Sequence, residues 1–218
     1  VNKLIGFITG LLALFFRPQK TEQVAQTKPT PEVTVPEWIS LAVFQAATGL
    51  SEKMSRDWYD HVRAACWEFD IVGSVRIAAF LAQVGHESGG FVWTREIWGP
   101  TAAQKRYEGR SDLGNTKPGD GFLFRGRGLI QITGRDNYQH AAAGLGVDVV
   151  ADPQLLEDRA LAARSAAWWW KTHGCNQLAD GGDFVALTRR INGGTNGLAD
   201  RETRWERAKK AIAIAGAA

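Results

Sequence analysis

Cysteine is scarce in this chain, and its basic residues never gather. Cys66 and Cys175 are its two cysteines, and their separation excludes a CxxC metal or redox motif. They are either two buried thiols or one disulfide, and a disulfide needs Cα atoms within about 7 Å. No dense Lys/Arg run occurs, and a net charge of +3 is too small to argue for a nucleic-acid partner. No internal repeat is visible. His86 and Glu87 stand together, but HExxH is not completed, so the pair does not read as a zinc site. Neither a metal nor a cofactor is expected.

What is present suits one good core: 218 residues, 44% hydrophobic and 22% charged. Nine tryptophans are many, and their flat faces serve either a sugar-binding cleft or the core. Residues 4–16 read LIGFITGLLALFF without a charge. As a helix they span about 20 Å, short of a hydrocarbon core of about 30 Å. They fit a signal-peptide apolar region or a weakly held anchor. Arg17 and Pro18 follow where a small-residue cleavage site would stand, which favours an uncleaved signal anchor over residues 1–16. The expectation is export, tethering at the inner membrane, then release to the periplasm and cell wall. Residues 17–36 hold four prolines with many Thr and Gln and read as an extended tether. The globular part is residues 37–218.

That part is patterned mainly for helices. In residues 37–48, Trp38, Leu41, Ala42 and Gln45 share one side. In residues 55–69, Trp58, Val62, Ala65, Cys66 and Phe69 fall at helical spacing. Ser74 is a candidate N-cap for a helix to Ser88 with Ile77, Phe80, Leu81 and Val84 on one face, ended by Gly89 and Gly90. Residues 158–173 are apolar nearly all round and should lie centrally. Asp183 can cap a helix through Ile191, and residues 200–214 form the last one. Residues 98–128, rich in Gly, Pro and Arg, read as a long loop, and such loops usually carry function. Residues 129–133, LIQIT, read as a short strand.

Glu87 lies seven residues after Phe80, almost two helical turns, and so points the same way. A carboxyl at the end of an apolar face, near the negative end of a helix, is placed where its uncharged form is favoured, as a proton donor requires. A surface glutamate is the alternative. Glycosidic cleavage needs a second group across the cleft, and Glu96 and Glu108 in the following loop are both candidates.

Residues 37–214 resemble the family nineteen glycoside hydrolases, the group of plant-type chitinases and phage endolysins. The resemblance is carried by AFLAQVGHESGGF (79–91), EIWGPTAAQKRYEGR (96–110), DGFLFRGRGLIQITGRDNY (120–138), INGG (191–194) and ADR (199–201), in matching order and spacing. It implies a mainly α, lysozyme-like α+β fold with a short β-hairpin beside the cleft, and an inverting mechanism without metal. It makes Glu87 the general acid. In endolysin-like members the base falls nine residues later, which selects Glu96; the longer insertion of plant members keeps Glu108 as the alternative. Thr133 is implied to hold the nucleophilic water. His86, Glu108, Gln131, Asn137, Tyr138, Arg164, Asn192 and Arg201 are the implied substrate-site residues. For Arg164 and Arg201 a structural ion pair is the alternative, and for Tyr138 core packing. The expected enzyme is a monomeric muramidase acting on peptidoglycan, with a chitinase and a non-catalytic sugar binder as the competing readings. The anchor and tether favour the first.

Overall fold

A computed structural model describes residues 38–216 of the chain. The proposed anchor of residues 1–16 and the whole tether of residues 17–36 lie outside the described residues. Among those residues no helix is long and apolar enough to cross a membrane.

The described chain is helical. α1 (Leu41–Thr48) and α2 (Glu52–Glu68) are each capped by a serine: Ser40 Oγ accepts from Val43 N at 3.3 Å, and Ser51 Oγ from Met54 N at 3.3 Å. α2 buries Trp58, Val62, Ala65 and Cys66 as its spacing predicts. α1 buries Phe44, Ala47 and Thr48 rather than the Leu41, Ala42 and Gln45 side, because α10 and α3 pack against that face. α3 (Ser74–Glu87) starts after Gly73, and the Ser74 hydroxyl does not cap it. Its Ile77, Phe80, Leu81 and Val84 are buried together with the residues between them, so the helix runs through the core.

The segment expected to be loop holds two single-turn helices, α4 (Ala102–Lys105) and α5 (Asp120–Leu123), and a 3₁₀ turn at Ser111–Leu113. α6 (Arg135–Leu145) follows, and it carries Asn137 and Tyr138 on its first turn, where a strand and turn were expected. α7 (Arg159–Thr172) is central as predicted and is capped by Asp158 Oδ1 through Ala160 N at 2.9 Å. α8 (Cys175–Asp180) and α9 (Phe184–Asn192) come next, the latter capped by Asp183 through Ala186 N at 2.8 Å. α10 (Leu198–Gly216) packs along α3 and α1.

The expected β-hairpin is not formed. Two isolated bridges, Arg95 with Arg127 and Arg127 with Ile132, are the strand-like pairings among the described residues. Residues 129–133 cannot stay extended, because Gly128 (φ +79°) and Gln131 (φ +56°) both take left-handed backbone. The segment folds back as a tight turn instead, closed by Ile132 N donating to Arg127 O at 2.8 Å.

Two apolar clusters result. The larger joins α1, α2, α3, α7 and α10 around Trp58, Phe80 and Trp170. The smaller gathers Phe124, Ile132, Tyr138, Leu145 and Leu156. Phe69 and Ile130 touch both. Both cysteines are buried free thiols, which settles the pairing question. Burial pushes the Cys175 thiol up to about 12 and the Cys66 thiol up as well, so both stay protonated and inert.

Candidate active site

Glu87 ends α3, and its Oε1 accepts from the Arg201 guanidinium at 2.5 Å. Arg201 is fully buried and donates to Gln83 Oε1 at 2.6 Å and Asn196 O at 3.2 Å. Gln83 donates in turn to Thr188 Oγ1 at 2.9 Å. This chain of bonds ties α3, α9 and α10 together behind the carboxyl. Glu87 therefore sits against a buried positive charge, and not merely at the end of an apolar face as its spacing from Phe80 suggested.

Glu96 is held differently. Its backbone N–H donates to Gly126 O at 2.8 Å, and its Oε2 accepts from Gly126 N at 3.2 Å. Oε1 accepts from Gln104 Nε2 at 2.9 Å and Tyr107 Oη at 3.5 Å. Every donor is neutral. Burial, then the Glu96 charge, pushes the Tyr107 phenol up, so it remains a donor. Gln104 is buried and answers four groups: it accepts from Thr101 N at 2.7 Å and Gly99 N at 3.1 Å, and donates to Ile97 O at 2.8 Å as well as to Glu96. The Thr101 hydroxyl completes a capping box with it.

Gly126 joins Glu96 to Thr133. A Cβ there would lie 3.3 Å from Thr133 Oγ1 and 2.7 Å from Gln131 Oε1, so only glycine leaves the space beside the hydroxyl open. Thr133 Oγ1 donates to Gln131 O at 2.9 Å, and Asn137 Nδ2 donates to Thr133 O at 2.7 Å. Gln131, Thr133 and Asn137 line a cavity of about 430 Å³ with Trp168, Trp169 and His173. The cavity lies where the two apolar clusters meet. Neither Glu87 nor Glu96 lines it; Thr133, on its wall, is joined to Glu96 through Gly126. The Trp169 and His173 rings stack 3.8 Å apart in its wall. Asn192 ends α9 beside Ile191 of the same cavity, and its buried Oδ1 has no hydrogen-bond partner among the described residues.

Four expected substrate-site residues are engaged elsewhere. Tyr138 is fully buried in the smaller cluster; its hydroxyl donates to Arg125 O at 2.7 Å and accepts from Arg127 at 2.9 Å. Burial pushes its phenol up to about 12, and core packing, the alternative reading, accounts for it. Arg164 makes a two-pronged ion pair with Glu68, both bonds 2.7 Å, and donates to Leu145 O at 2.8 Å, which locks α7 to α2 and α6. Glu108 accepts from Gly119 N at 2.6 Å and Gly121 N at 2.9 Å, so both of its oxygens close the loop before α5. His86 Nδ1 lies 2.7 Å from Asp200 Oδ2, which also accepts from Arg204 at 2.7 Å. The histidine thus docks the first turn of α10.

Sequence reasoning missed Gln83, Gln104 and the Trp168, Trp169 and His173 wall; it read the glycines at 126 and 128 either as letting the backbone come close to the sugar or as turn formers. Thr101-x-x-Gln104 is a readable capping box, and Trp169 and His173 are four apart on one helix face. Nothing local marked Gln83.

The sequence profile of family 19 glycoside hydrolases, described as "Chitinase class I", matches residues 70–181. A glycosyl hydrolase family 19 domain-containing protein of Haemophilus influenzae is 35% identical over 170 residues, covering 66% of this chain and 83% of that one. An endochitinase of Arabidopsis thaliana is 40% identical over 124 residues, 56% of this chain but only 41% of its own length. Chitinase C from Streptomyces griseus superposes with a TM-score of 0.64 at 24% identity over 80% of this chain and 76% of that one, which shows a shared fold. The chain belongs to glycoside hydrolase family 19, and it is a glycan-cleaving enzyme.

Proposed function

We propose that this enzyme is an endolysin of the muramidase type, cutting β-1,4 bonds of bacterial peptidoglycan with inversion. The acid/base assignment is supported by the place of Glu87 at the end of α3 within the family-like stretch 79–91, with Glu96 nine residues later joined through Gly126 to Thr133; Arg201 pairs with Glu87, and neutral donors hold Glu96. Glu87 gives its proton to the leaving glycosidic oxygen. Arg201 then stabilises the carboxylate left behind, a charge that develops only as the bond breaks. Glu96 takes a proton from water, and the Thr133 hydroxyl orients that water on the opposite face of the sugar. Inversion needs about 6.5–9.5 Å between the two carboxyl groups to leave room for it. The cavity beyond Thr133 takes the sugars on one side of the bond.

The apolar stretch at residues 4–16 and the Pro/Thr-rich segment after it favour peptidoglycan, because an enzyme held at a membrane by a tether suits the cell wall. The Arabidopsis relative, an endochitinase, favours chitin as the second reading. Purified sacculi and colloidal chitin, offered to the same preparation, separate the two. Release of reducing ends from sacculi is expected, with the α-anomer first in early-time NMR. Cleavage of chitin alone overturns the peptidoglycan reading, and the β-anomer first overturns inversion. Export and membrane tethering through residues 4–16 belong to the same proposal and rest on the sequence.

A further inference from the structure

Three arginines share one carboxylate on the far side of the segments that hold Glu96. Arg127 Nε donates to Glu157 Oε1 at 2.7 Å, Arg95 donates to Glu157 Oε2 at 3.3 Å, and an Arg125 terminal nitrogen lies 3.9 Å from Oε1. Arg127 is buried, and its Nη1 donates to Leu123 O and the Tyr138 hydroxyl as well. Arg125 is not satisfied. One of its nitrogens donates to Phe122 O at 3.0 Å, and the other two have no acceptor within hydrogen-bond distance among the described residues. Its side chain keeps 11% exposure, and that of Arg95 keeps 62%. Burial, then the like charge of Arg127, holds the Arg125 guanidinium below its ordinary value. The Arg125 guanidinium lies over the ring of Phe122, 4.2 Å from its centroid, and Phe122 and Leu123 are themselves exposed.

The position matters as much as the charge. Arg95 precedes Glu96, and Arg125 precedes Gly126, whose N–H holds the Glu96 carboxyl. Neighbouring residues of near-extended segments send side chains to opposite faces. The arginines thus sit one residue from the base, on the next face of the same two segments. A chitin chain bound at Glu96 brings no anion there. A peptidoglycan chain does, because alternate sugars carry a short acidic peptide. Extended peptide covers about 3.3–3.6 Å per residue, so two or three residues of stem reach around the edge of the segment. Free guanidinium donors match a carboxylate in geometry, and the exposed Phe122 and Leu123 flank it with apolar surface for the small side chains of a stem.

We propose that Arg95 and Arg125, with Arg127 behind them, form an anion subsite that binds a carboxylate of the peptide stem and so selects stem-bearing glycan. The proposal rests on the peptidoglycan reading above. Its test uses the full chain and two soluble glycans, one with stems and one stripped of them by an amidase. The wild type is expected to have a KM about tenfold lower on the stem-bearing glycan, and the R95Q/R125Q double variant is expected to bring the two KM values together. Equal KM values for the wild type, or a preference kept by the variant, overturn the subsite while leaving the peptidoglycan reading standing. Cleavage of chitin with neither glycan touched overturns both. A second measurement needs no substitution. The arginine side-chain N–H signals of the wild type are followed by NMR during titration with free acidic stem peptide, its fully amidated form, and inorganic phosphate. Shifts of the Arg95 and Arg125 signals with the acidic peptide alone support the proposal. Equal shifts with the amidated peptide or with phosphate overturn it.

Discussion

At the scale of single residues, Glu87→Gln keeps the shape of the side chain and removes its proton. The amide can still accept from Arg201, so circular dichroism should be unchanged while lysis of sacculi falls by about 10²–10⁴-fold. A folded variant that keeps more than about a tenth of wild-type lysis shows that another group protonates the leaving oxygen. The two candidate bases separate in the same way. Glu96→Gln should cost about 10²–10⁴ in rate, because its carboxyl lies beside Thr133 through Gly126. Glu108→Gln should lower Tm more than rate, because both of its oxygens accept from backbone N–H groups of the loop. The reverse pattern, with Glu108→Gln inactive at an unchanged Tm, would give Glu108 the role of base.

At the scale of elements, one buried glutamine joins a helix cap to the catalytic loop. Gln104→Ala removes the capping box of α4 and the donor to Glu96 together. The cap is worth about 1 kcal/mol, a Tm shift on the order of 2–4 °C, and a base freed to shift by an ångström can cost up to about 10²-fold in kcat. A Tm loss with kcat intact would show that Gly126 and Tyr107 hold Glu96 without it. Nearby, Arg135 clamps α6 to α5 through a paired contact with the buried Asp120, which also accepts from Lys117 N at 3.0 Å. The Arg135 guanidinium holds the Asp120 carboxyl below the usual carboxylate range. Its contribution is therefore complete above the unfolded value of about 3.9 and is lost as pH falls through the lower folded one. Asp120→Asn should cost about 2 kcal/mol near pH 7, on the order of 4–8 °C in Tm. The gap to wild type should narrow in thermal melts below about pH 3. A gap of constant size would mean that shape rather than charge makes the clamp.

At the scale of the whole molecule, the apolar stretch at residues 4–16 stands apart from the family-like domain. Its Gly6, Thr9, Gly10 and Ala13 weaken membrane partition relative to Leu or Ile. Full-length protein is therefore expected in the inner-membrane fraction, uncleaved, and in the soluble fraction after an uncoupler is added. Replacing Gly6 and Gly10 by Leu should hold it in the membrane. Intact mass and fractionation check both points. A mature form shortened by about 25 residues would mean a cleaved signal, and protein that stays in the cytoplasm at every stage would rule out export by this segment.

The sequence alone determined what local spacing controls. The buried face of α2, the central place of α7, the Asp183 cap and the helix-end position of Glu87 follow from residues three to four apart. It misjudged the face of α1 and the state of residues 129–133, where packing by α10 and left-handed backbone at Gly128 and Gln131 overrode the pattern. Only the tertiary structure decided that Arg201 pairs with Glu87 and Arg164 with Glu68, and that Tyr138 is sealed in the core. It alone set Gly126 between Glu96 and Thr133. The reason is physical. A helix and its caps are written in neighbouring residues. A buried charge takes whichever partner the packed helices bring to it, however far away along the chain.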